Sequence, residues 1–481
     1  KTKTSACFKC CNSYWMSGSL LLTVPARFFF LGASLRAVTA LFIVGLIAMS
    51  SVAGAEPDNA YLAELMARAR AATLAAEREW HLLLHYRSTW LGGVVSEQDD
   101  PGFFLSPHGK TDPQAELEAT LRAFFRDDLV GRSKQPAQCA FVARYQWLRE
   151  KLAFEDARLP AARCERFDNW LKEFSAQGIS LIFPSAYMNN PASMFGHTFL
   201  RVDQRGQTEQ TSILAYTINY AADADTDNGL AYAVEGIFGG FKGYYTTIPY
   251  YLKVKEYRDI ENRDIWEYRL NLTDGQVRRL LLHAWEMGNA YFDYFFFKEN
   301  CSYHLLSLLE YANPDLHATD QFLFWTIPVD TVRVLDRYPG LVGERVYRPS
   351  RVSKIKRRRE DLSGEELQWL KTVTEDTSSL RHAEFVKLPP ERRAAVLDVA
   401  SDYLLYRTVA DAPNATTYAD RNRAVLAARS QLKVRGEDKP VLPFTSSPEQ
   451  GHQTARVGMA GVYDRVTGLK KSTSVELTTM C

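Results

Sequence analysis

The sequence has no excess of charge of either sign. Lysine and arginine together number 58 and aspartate and glutamate 57 among 481 residues, so the formal net charge at pH 7 is +1. A chain without a net positive field does not steer nucleic acid towards itself over long distances. Zinc-finger spacings and the aromatic motifs of RNA-binding domains are missing as well. We therefore expect no nucleic-acid partner.

Signatures of cofactor and metal binding are also lacking. The sequence contains no phosphate loop, no dinucleotide fingerprint and no zinc spacing. The segment DADTDNG places Asp223, Asp225 and Asp227 at the first three ligand positions of a calcium loop. However, Asn228 replaces the glycine that such a loop needs at its sixth position, and Glu235 falls one residue late. We therefore predict no cofactor and no metal site.

Apolar residues, in contrast, are plentiful. Hydrophobic residues make up 46% of the chain and aromatic residues 12%. A chain of this length and composition can bury a large core, and its length favours two or three domains over one. We expect a folded, multidomain protein.

A segment near the N-terminus has the pattern of an export signal. Arg27 and Arg36 precede the apolar run AVTALFIVGLIAMSSVAGA, and Ala53 and Ala55 occupy the small-residue positions of a cleavage site. We expect residues 1–55 to be a leader that directs the mature chain to the periplasm. An uncleaved membrane anchor is the alternative, because the run is about long enough to span a bilayer.

Only four cysteines follow this leader: Cys139, Cys164, Cys301 and Cys481. Cys139 and Cys164 each stand at the beginning of a helical pattern, and a short connection separates the two patterns. In an oxidising compartment we expect this pair to form a disulfide that joins two helices. Cys301 then has no evident partner, and such a cysteine is buried and inert, reactive, or paired between chains.

Periodicity and composition divide the mature chain further. Helical spacing dominates first, then short alternating runs rich in glycine and aromatic residues, then helical spacing again after the basic linker RVSKIKRRRED. The end of the chain alternates like a hairpin. We predict four regions: a helical domain at 56–178, a domain with short alternating runs at 179–350, a helical segment at 351–440 and the start of a β-rich region at 441–481.

The stretch KENCSYHLLSLLEY places Cys301 at the beginning of an amphipathic helix. Cys301, Leu305, Leu308 and Leu309 share one face, so the sulfur points towards the surface on which the helix packs. Unpaired N–H groups and the positive end of the helix dipole favour a thiolate at this position. The pattern favours a nucleophile, with a small core residue as the alternative.

His197 is a candidate partner for this thiol. It begins a strand in which Thr198, Leu200 and Val202 form an apolar face while His197 and its alternating neighbours form the other. A neutral imidazole within reach of Cys301 can accept its proton and later protonate a leaving group. A histidine with a purely structural role is the alternative.

Four segments resemble a known family: SMFGHTFLRVD, ILAYTINYAA, GIFGGFKGYYTTIPYYLKVKEYRDIENRDIWEYRL and FFFKENCSYHLL. Over residues 170–320 they are similar to the Lnb N-terminal periplasmic domain, named after the Lnb-type bacterial lipoprotein N-acyltransferase. The order, histidine first and Asn-Cys at a helix start later, is similar to circularly permuted papain-like enzymes. The resemblance implies an α+β fold in which an antiparallel sheet packs on the nucleophile-bearing helix. It also implies an acyl-enzyme cysteine at Cys301 and a base at His197.

Further site residues are expected around this pair. Papain-like sites carry a polar group that orients the histidine, and Asn219 on the next strand is our candidate, with a role as a turn residue as the alternative. The segment GIFGGFKGYYTTIPYYL is expected to cover an acyl chain or meet a membrane surface, with a hairpin that fills the core as the alternative. The expected substrate-binding residues are His304, Tyr216, Phe199, Tyr244 and Tyr245, and packing on the sheet is the alternative for His304.

The expected function is cysteine-dependent acyl transfer in the bacterial envelope. Cys301 would take an acyl chain from a phospholipid and pass it to the terminal amine of a lipoprotein or peptide, at a membrane surface. If water replaces the amine, the enzyme is a lipase or thioesterase. The further alternatives are a cell-wall amidopeptidase with the same Cys/His pair and a scaffold without catalytic activity.

Overall fold

The structure is a computed structural model that describes residues 59–185, 196–224, 228–436, 439–451, 456–464 and 468–476. The expected leader, part of the calcium-like segment, and Cys481 lie outside the described residues.

Helices dominate the first part of the chain, as the helical spacing predicts. Helix α3 begins where Asp112 accepts hydrogen bonds from the backbone N–H groups of Gln114 and Ala115, an N-cap that satisfies two helix-end donors. The elements are α1 (Asn59–Ala71), α2 (Arg78–Leu83), β1 (Tyr86–Ser88), β2 (Val94–Ser96), α3 (Pro113–Phe124), β3 (Leu129–Val130), β4 (Gln135–Pro136), α4 (Ala137–Ala140), α5 (Val142–Leu152) and α6 (Glu165–Phe174).

The predicted disulfide is present. Cys139 of α4 is bonded to Cys164, the residue before α6, across 25 positions of sequence. The bridge therefore joins two helical pieces, as the sequence predicts.

Removal of this bridge is expected to lower stability. In the Cys139→Ala/Cys164→Ala variant, the free energy of unfolding should fall by about 3 kcal/mol, because the unfolded chain gains the entropy of an open loop. Urea titration of the oxidised protein measures the change. The wild type treated with a reductant should match the variant, and equal stability of oxidised wild type and variant would contradict the expectation.

A seven-stranded antiparallel sheet follows, and it carries the candidate site. Its strands have the order β10-β8-β7-β6-β5-β9-β11. The elements of this region are β5 (Ala176–Pro184), β6 (Phe199–Gln204), β7 (Tyr216–Asp223), α7 (Gly229–Phe238), β8 (Phe241–Pro249), α8 (Tyr250–Val254), β9 (Ile265–Leu270), α9 (Asp274–Met287), β10 (Tyr291–Tyr294), α10 (Cys301–Ala312), α11 (Pro328–Asp336) and β11 (Val342–Arg348). A mixed α+β fold is therefore confirmed.

Different helices cover the two faces of the sheet. Leu200 of β6 pairs with Ile218 of β7, so alternate residues on these strands share a face. On one face Tyr220 of β7 lies against His304 of α10, with ring centroids 4.4 Å apart. On the other face Phe199 of β6 lies against Tyr250 of α8. The strand alternation thus decides which residues face the cysteine-bearing helix.

Two local interpretations were wrong. The segment GIFGGFKGYYTTIPYYL is not a hairpin, since it contains the end of α7, strand β8 and helix α8. The basic linker is helix α12 (Arg351–Glu360), because Ser350 caps its N-terminus and Ile355 packs into a core.

The last part of the described chain has a core of its own. Buried residues between Ile355 and Val425 form one cluster, whereas another cluster runs from Tyr61 to Leu341 and unites the first helices with the sheet. The remaining elements are α13 (Gly364–Glu375), α14 (Ala383–Lys387), α15 (Pro390–Ala410), α16 (Ala415–Gln431) and the antiparallel pair β12 (Arg456–Asp464) and β13 (Gly468–Glu476). Within the described ranges, no helix has both the length and the apolar character needed to cross a membrane.

Candidate functional site

Cys301 is the first residue of α10, as predicted, and Asn300 fixes this start. The Asn300 side chain accepts hydrogen bonds from the N–H groups of Ser302 (3.1 Å) and Tyr303 (3.3 Å). Its amide also donates to the carbonyls of Phe296 (3.0 Å) and Thr326 (2.6 Å). One side chain therefore caps the helix and anchors two loops beside the cysteine.

The Cys301 thiol is buried, and burial raises its pKa above the ordinary cysteine value. Hydrogen bonds from the Thr198 backbone and from the Ser302 and Tyr294 side chains oppose this rise without cancelling it. The helix start was expected to favour a thiolate, but desolvation outweighs that effect here. The resting group is a thiol that needs a base.

The pH dependence of thiol alkylation is expected to show this. Iodoacetamide should label Cys301 with a rate that is still rising above about pH 8.5, the value at which a free cysteine is half ionised. Tyr294→Phe should move the profile to higher pH, because it removes a hydrogen bond that stabilises the thiolate. Cys301→Ala is the blank, and a plateau reached below pH 8 would contradict the burial argument.

The start of strand β6 meets the start of α10. The Thr198 hydroxyl donates to the Ser302 hydroxyl at 2.8 Å, across 104 positions of sequence. Gly196 precedes this contact with φ +92°, and a Cβ there would lie 2.8 Å from the ring of Phe183, so a glycine is needed. The fold therefore brings the backbone beside His197 to the nucleophile's helix.

The His197 ring lies next to this contact but does not itself reach the thiol. It is half-buried, and its ring neighbours are Phe199 and Tyr257, each with a centroid 6.1 Å away. No hydrogen bond joins His197 to Cys301 in the described part of the chain. Burial lowers the pKa of His197 well below its usual value, and the cations of Lys253 and Arg263 lower it further. The imidazole is therefore neutral at pH 7, and the same burial and charges make it a weak base in this position.

Comparison with protein families identifies the region that holds these two residues. Residues 166–338 match the model of the Lnb N-terminal periplasmic domain. This region is a member of that family. The Lnb domain contains His197, Cys301 and six of the seven strands of the sheet.

The flanking regions match two other family models. Residues 72–151 match a domain of unknown function (DUF7843) and residues 345–441 another (DUF7842). Neither a curated protein nor a solved structure matches the chain.

Asn219 lies inside strand β7 of the Lnb domain, so the interpretation as a turn residue is wrong. Its amide donates to the Thr217 hydroxyl at 2.7 Å, and its buried side-chain oxygen has no hydrogen-bond partner among the described residues. By strand alternation it shares the face of Phe199, opposite Tyr220. No hydrogen bond joins Asn219 to His197 among the described residues.

The structure divides the expected substrate-binding residues of the Lnb domain between the two faces. His304 is fully buried among rings, with Phe292 4.2 Å away, and the Tyr245 hydroxyl donates to the His304 carbonyl at 2.7 Å. Tyr216 is at the other end of β7, against Phe174 of α6.

The other two expected residues, Phe199 and Tyr244, lie on the opposite face of the sheet. Phe199 packs under Tyr250 and Tyr257, and Tyr244 lies against Arg132 and Tyr291. Of the five expected residues, His304 belongs to α10 itself and Tyr245 contacts that helix.

Sequence reasoning missed the contribution of the segment before the Lnb domain. Glu97 accepts a hydrogen bond from the Tyr303 hydroxyl (2.5 Å) and one from Arg87 (3.2 Å), which holds the first turn of α10. Glu299, two residues before Cys301, has its pKa raised to about 7 by burial and by the nearby Glu97 charge. Glu97 could not be found from sequence spacing, since it lies 204 positions from Cys301.

Tyr294 and Thr198 were missed for a different reason. Both contact the thiol directly, one through its hydroxyl and the other through its backbone N–H. Tyr294 ends a short strand and Thr198 was assigned to the apolar face of another. The buried hydroxyl of Ser302, which pairs with Thr198, could have been noticed from its place beside the cysteine.

Proposed function

We propose that the Lnb domain is a cysteine acyltransferase of the cell envelope, with Cys301 as nucleophile and His197 as base. The family's description names a periplasmic domain, which supports an envelope location. The acyl donor is a phospholipid and the acceptor is the terminal amine of a lipoprotein or peptide. The arrangement proposed is that of a permuted papain-like enzyme, with the nucleophile's helix packed on an antiparallel sheet.

One observation carries this proposal. A cysteine without a disulfide partner occupies the first position of a capped helix, and its sulfur is hydrogen-bonded by the backbone N–H of the residue after His197. A small core cysteine needs no such donors. A nucleophile gains from them, because they stabilise the thiolate as it forms and lie where an oxyanion would develop.

The proposed donor half-reaction proceeds as follows. His197 takes the thiol proton as the sulfur forms a bond to the ester carbonyl carbon of the phospholipid. The tetrahedral intermediate collapses, the carbon–oxygen bond breaks, and the imidazolium protonates the departing lysophospholipid oxygen. A thioester on Cys301 remains. For the first step His197 has to turn from Phe199 and Tyr257 towards the sulfur, because its neighbours in the structure are these rings.

The acceptor half-reaction uses the same two groups. The amine attacks the thioester carbonyl while His197 removes its proton, and the carbon–sulfur bond breaks to give an amide. The departing sulfur regains the proton from the imidazolium. The neutral form of His197 prevails at pH 7, so the ring has a free lone pair for the proton in both half-reactions.

The Ser302 and Tyr303 N–H groups are engaged by Asn300. The cap therefore occupies these donors, and they are not free to stabilise a tetrahedral oxygen. The backbone N–H groups of Thr198 and of Cys301 itself are better placed for this role in the proposal, because Thr198 already donates to the sulfur.

Mass spectrometry of a trapped intermediate tests the proposal. The purified protein is incubated with phospholipid without acceptor, and the peptide that contains Cys301 should gain the mass of one acyl chain. Peptidoglycan fragments are offered in a separate reaction. An adduct or cleavage seen only there would favour the amidopeptidase, and no adduct with either, together with an unreactive thiol, would favour the scaffold.

A further inference from the structure

Helix α7 exposes one apolar face. Leu230 is 76% exposed and Phe238 77%, and Val234 and Ile237 are exposed as well. These four positions are spaced i, i+4, i+7 and i+8, so they lie on the same side of the helix. Exposed aliphatic and aromatic side chains in a contiguous row are uncommon on a soluble surface without a partner.

The opposite side of α7 is fixed to the Lnb domain. Tyr232 contacts Phe241 and Phe296, with ring centroids 5.4 and 5.2 Å away. Gly236 lies so close to Phe296 that an added Cβ would be 2.2 Å from its ring, and Gly239 ends the helix at φ +80°. The exposed face is therefore not a misplaced core face, because the helix already has a packed side.

A second exposed apolar element lies just before helix α11. In the segment 323–325, Leu323 is 77% exposed and Phe324 76%, and Trp325 is exposed too. The sequence from Phe322 to Pro328 contains no charged residue. Two separate elements of one domain thus present large apolar side chains to solvent.

Both elements are attached to the residues that lead into Cys301. The Phe296 N–H donates to the Gly236 carbonyl at 2.7 Å, and the Thr326 N–H donates to the Phe297 carbonyl at 2.6 Å. Asn300, the residue before the cysteine, donates to the carbonyls of Phe296 and Thr326. The apolar elements therefore flank the loop that positions the nucleophile.

The charges beside these elements are balanced lysine–acid pairs, which suits a phospholipid headgroup that itself carries both signs. Lys242 follows α7 by four residues and Lys298 follows Phe297 directly, and both have exposed side chains that pair with single acids, Asp293 and Glu299. Apolar side chains that enter the hydrocarbon, with lysines at their margin near the phosphates, are the pattern of interfacial membrane binding.

We propose that the outer face of α7 and the segment 323–325 form a membrane-docking surface that seats the Lnb domain on phospholipid. This inference rests on the proposed function only for the choice of lipid as the occupant. Docking brings the loop that precedes Cys301 close to the lipid, so a donor phospholipid approaches the nucleophile from the bilayer. The segment GIFGGFKGYYTTIPYYL, expected to meet a membrane, includes Ile237 and Phe238 of this surface, whereas its Tyr244 and Tyr245 lie within the sheet.

Vesicle sedimentation tests the surface. The full chain is mixed with vesicles of phosphatidylethanolamine and phosphatidylglycerol, and bound protein is measured. Leu230→Ser/Phe238→Ser and Leu323→Ser/Phe324→Ser should each weaken binding at least about tenfold, since each removes two apolar contacts with the bilayer. Leu426→Ser, an exposed leucine on α16, is the matched control and should bind like the wild type.

The outcomes separate this inference from the proposed function. Cys301→Ala should bind vesicles normally, and an acyl adduct on detergent-dispersed lipid should survive the docking substitutions. Vesicle binding without an acyl adduct would support the docking surface and contradict the acyltransferase proposal. No vesicle binding by the wild type, or equal binding by wild type and both double variants, would overturn the surface and favour a protein partner. Thermal melting shows whether each variant is folded. If Leu230→Ser/Phe238→Ser is unfolded, the single substitution Phe238→Ser replaces it.

Discussion

Cys301→Ala is expected to lower the rate of acyl transfer on the order of 10⁶-fold, as loss of a covalent nucleophile does. The acyl adduct should disappear entirely, because no other described cysteine is free. Stability should change little, since alanine is a small apolar side chain that fits a buried position. Transfer of a labelled acyl chain, with the adduct followed by mass spectrometry, measures the effect.

Two further variants decide how the nucleophile works. His197→Ala should lower turnover by about 10²- to 10⁴-fold, because it removes the proton acceptor. His317→Ala, an exposed histidine paired with Asp320, is the matched control and should be fully active. If the adduct forms at the wild-type rate in His197→Ala, His197 is not the base and another group deprotonates Cys301.

Arg144→Met is expected to destabilise the fold by about 3–5 kcal/mol, as removal of one partner of a buried ion pair does. The Arg144 guanidinium is fully buried between Glu116, at 3.0 Å, and Glu286, at 3.7 Å. It also lies over the rings of Phe103 and Phe141. Without it, two buried carboxyl groups lose their cation. Urea unfolding at pH 7.5 measures the loss.

The pH dependence of this effect has a definite sign. Burial raises the pKa of Glu286 to about 7, so the stability that this group contributes is full below its ordinary pKa and is lost as the pH rises through about 7. The deficit of Arg144→Met should therefore be larger at pH 8 than at pH 5. Addition of Glu286→Gln should recover part of it at pH 8.

A surface substitution provides the control for Arg144. Arg122→Met breaks an exposed pair with Glu118, and such pairs contribute roughly 0–1 kcal/mol. It should cost far less than Arg144→Met and show no comparable change between pH 5 and pH 8. A small, pH-independent effect of Arg144→Met would mean that the buried carboxyl groups find other partners or simply stay protonated.

Local features of the site could be predicted because they depend on neighbours in sequence. The start of α10 follows from an asparagine cap before an amphipathic run, and the start of β6 from an alternating apolar pattern. The disulfide followed from two cysteines at the ends of nearby helical patterns.

Other features could not be predicted, since they depend on contacts that spacing does not reveal. The glycines of GIFGGF suggested a hairpin, yet Gly236 and Gly239 serve to let α7 approach Phe295 and Phe296. The approach of Glu97 to Tyr303 joins segments about 200 residues apart, and only the folded chain shows it.

The protonation states of the two candidate catalytic groups could not be predicted from the sequence either. A helix start favours a thiolate, but the net effect at Cys301 is a raised pKa, because burial depends on everything that packs around the sulfur. The same holds for His197, whose lowered pKa comes from burial and from two cations on a neighbouring helix and loop.

The sequence by itself determined the family resemblance over residues 170–320, the disulfide and the place of Cys301 at a helix start, because motif spacing, cysteine count and capping are local properties. Only the tertiary structure decided that Thr198 rather than the His197 ring contacts the thiol, and that α7 turns its apolar face outward. These outcomes depend on which faces of strand and helix the surrounding core leaves open, and that balance of packing is a property of the whole fold.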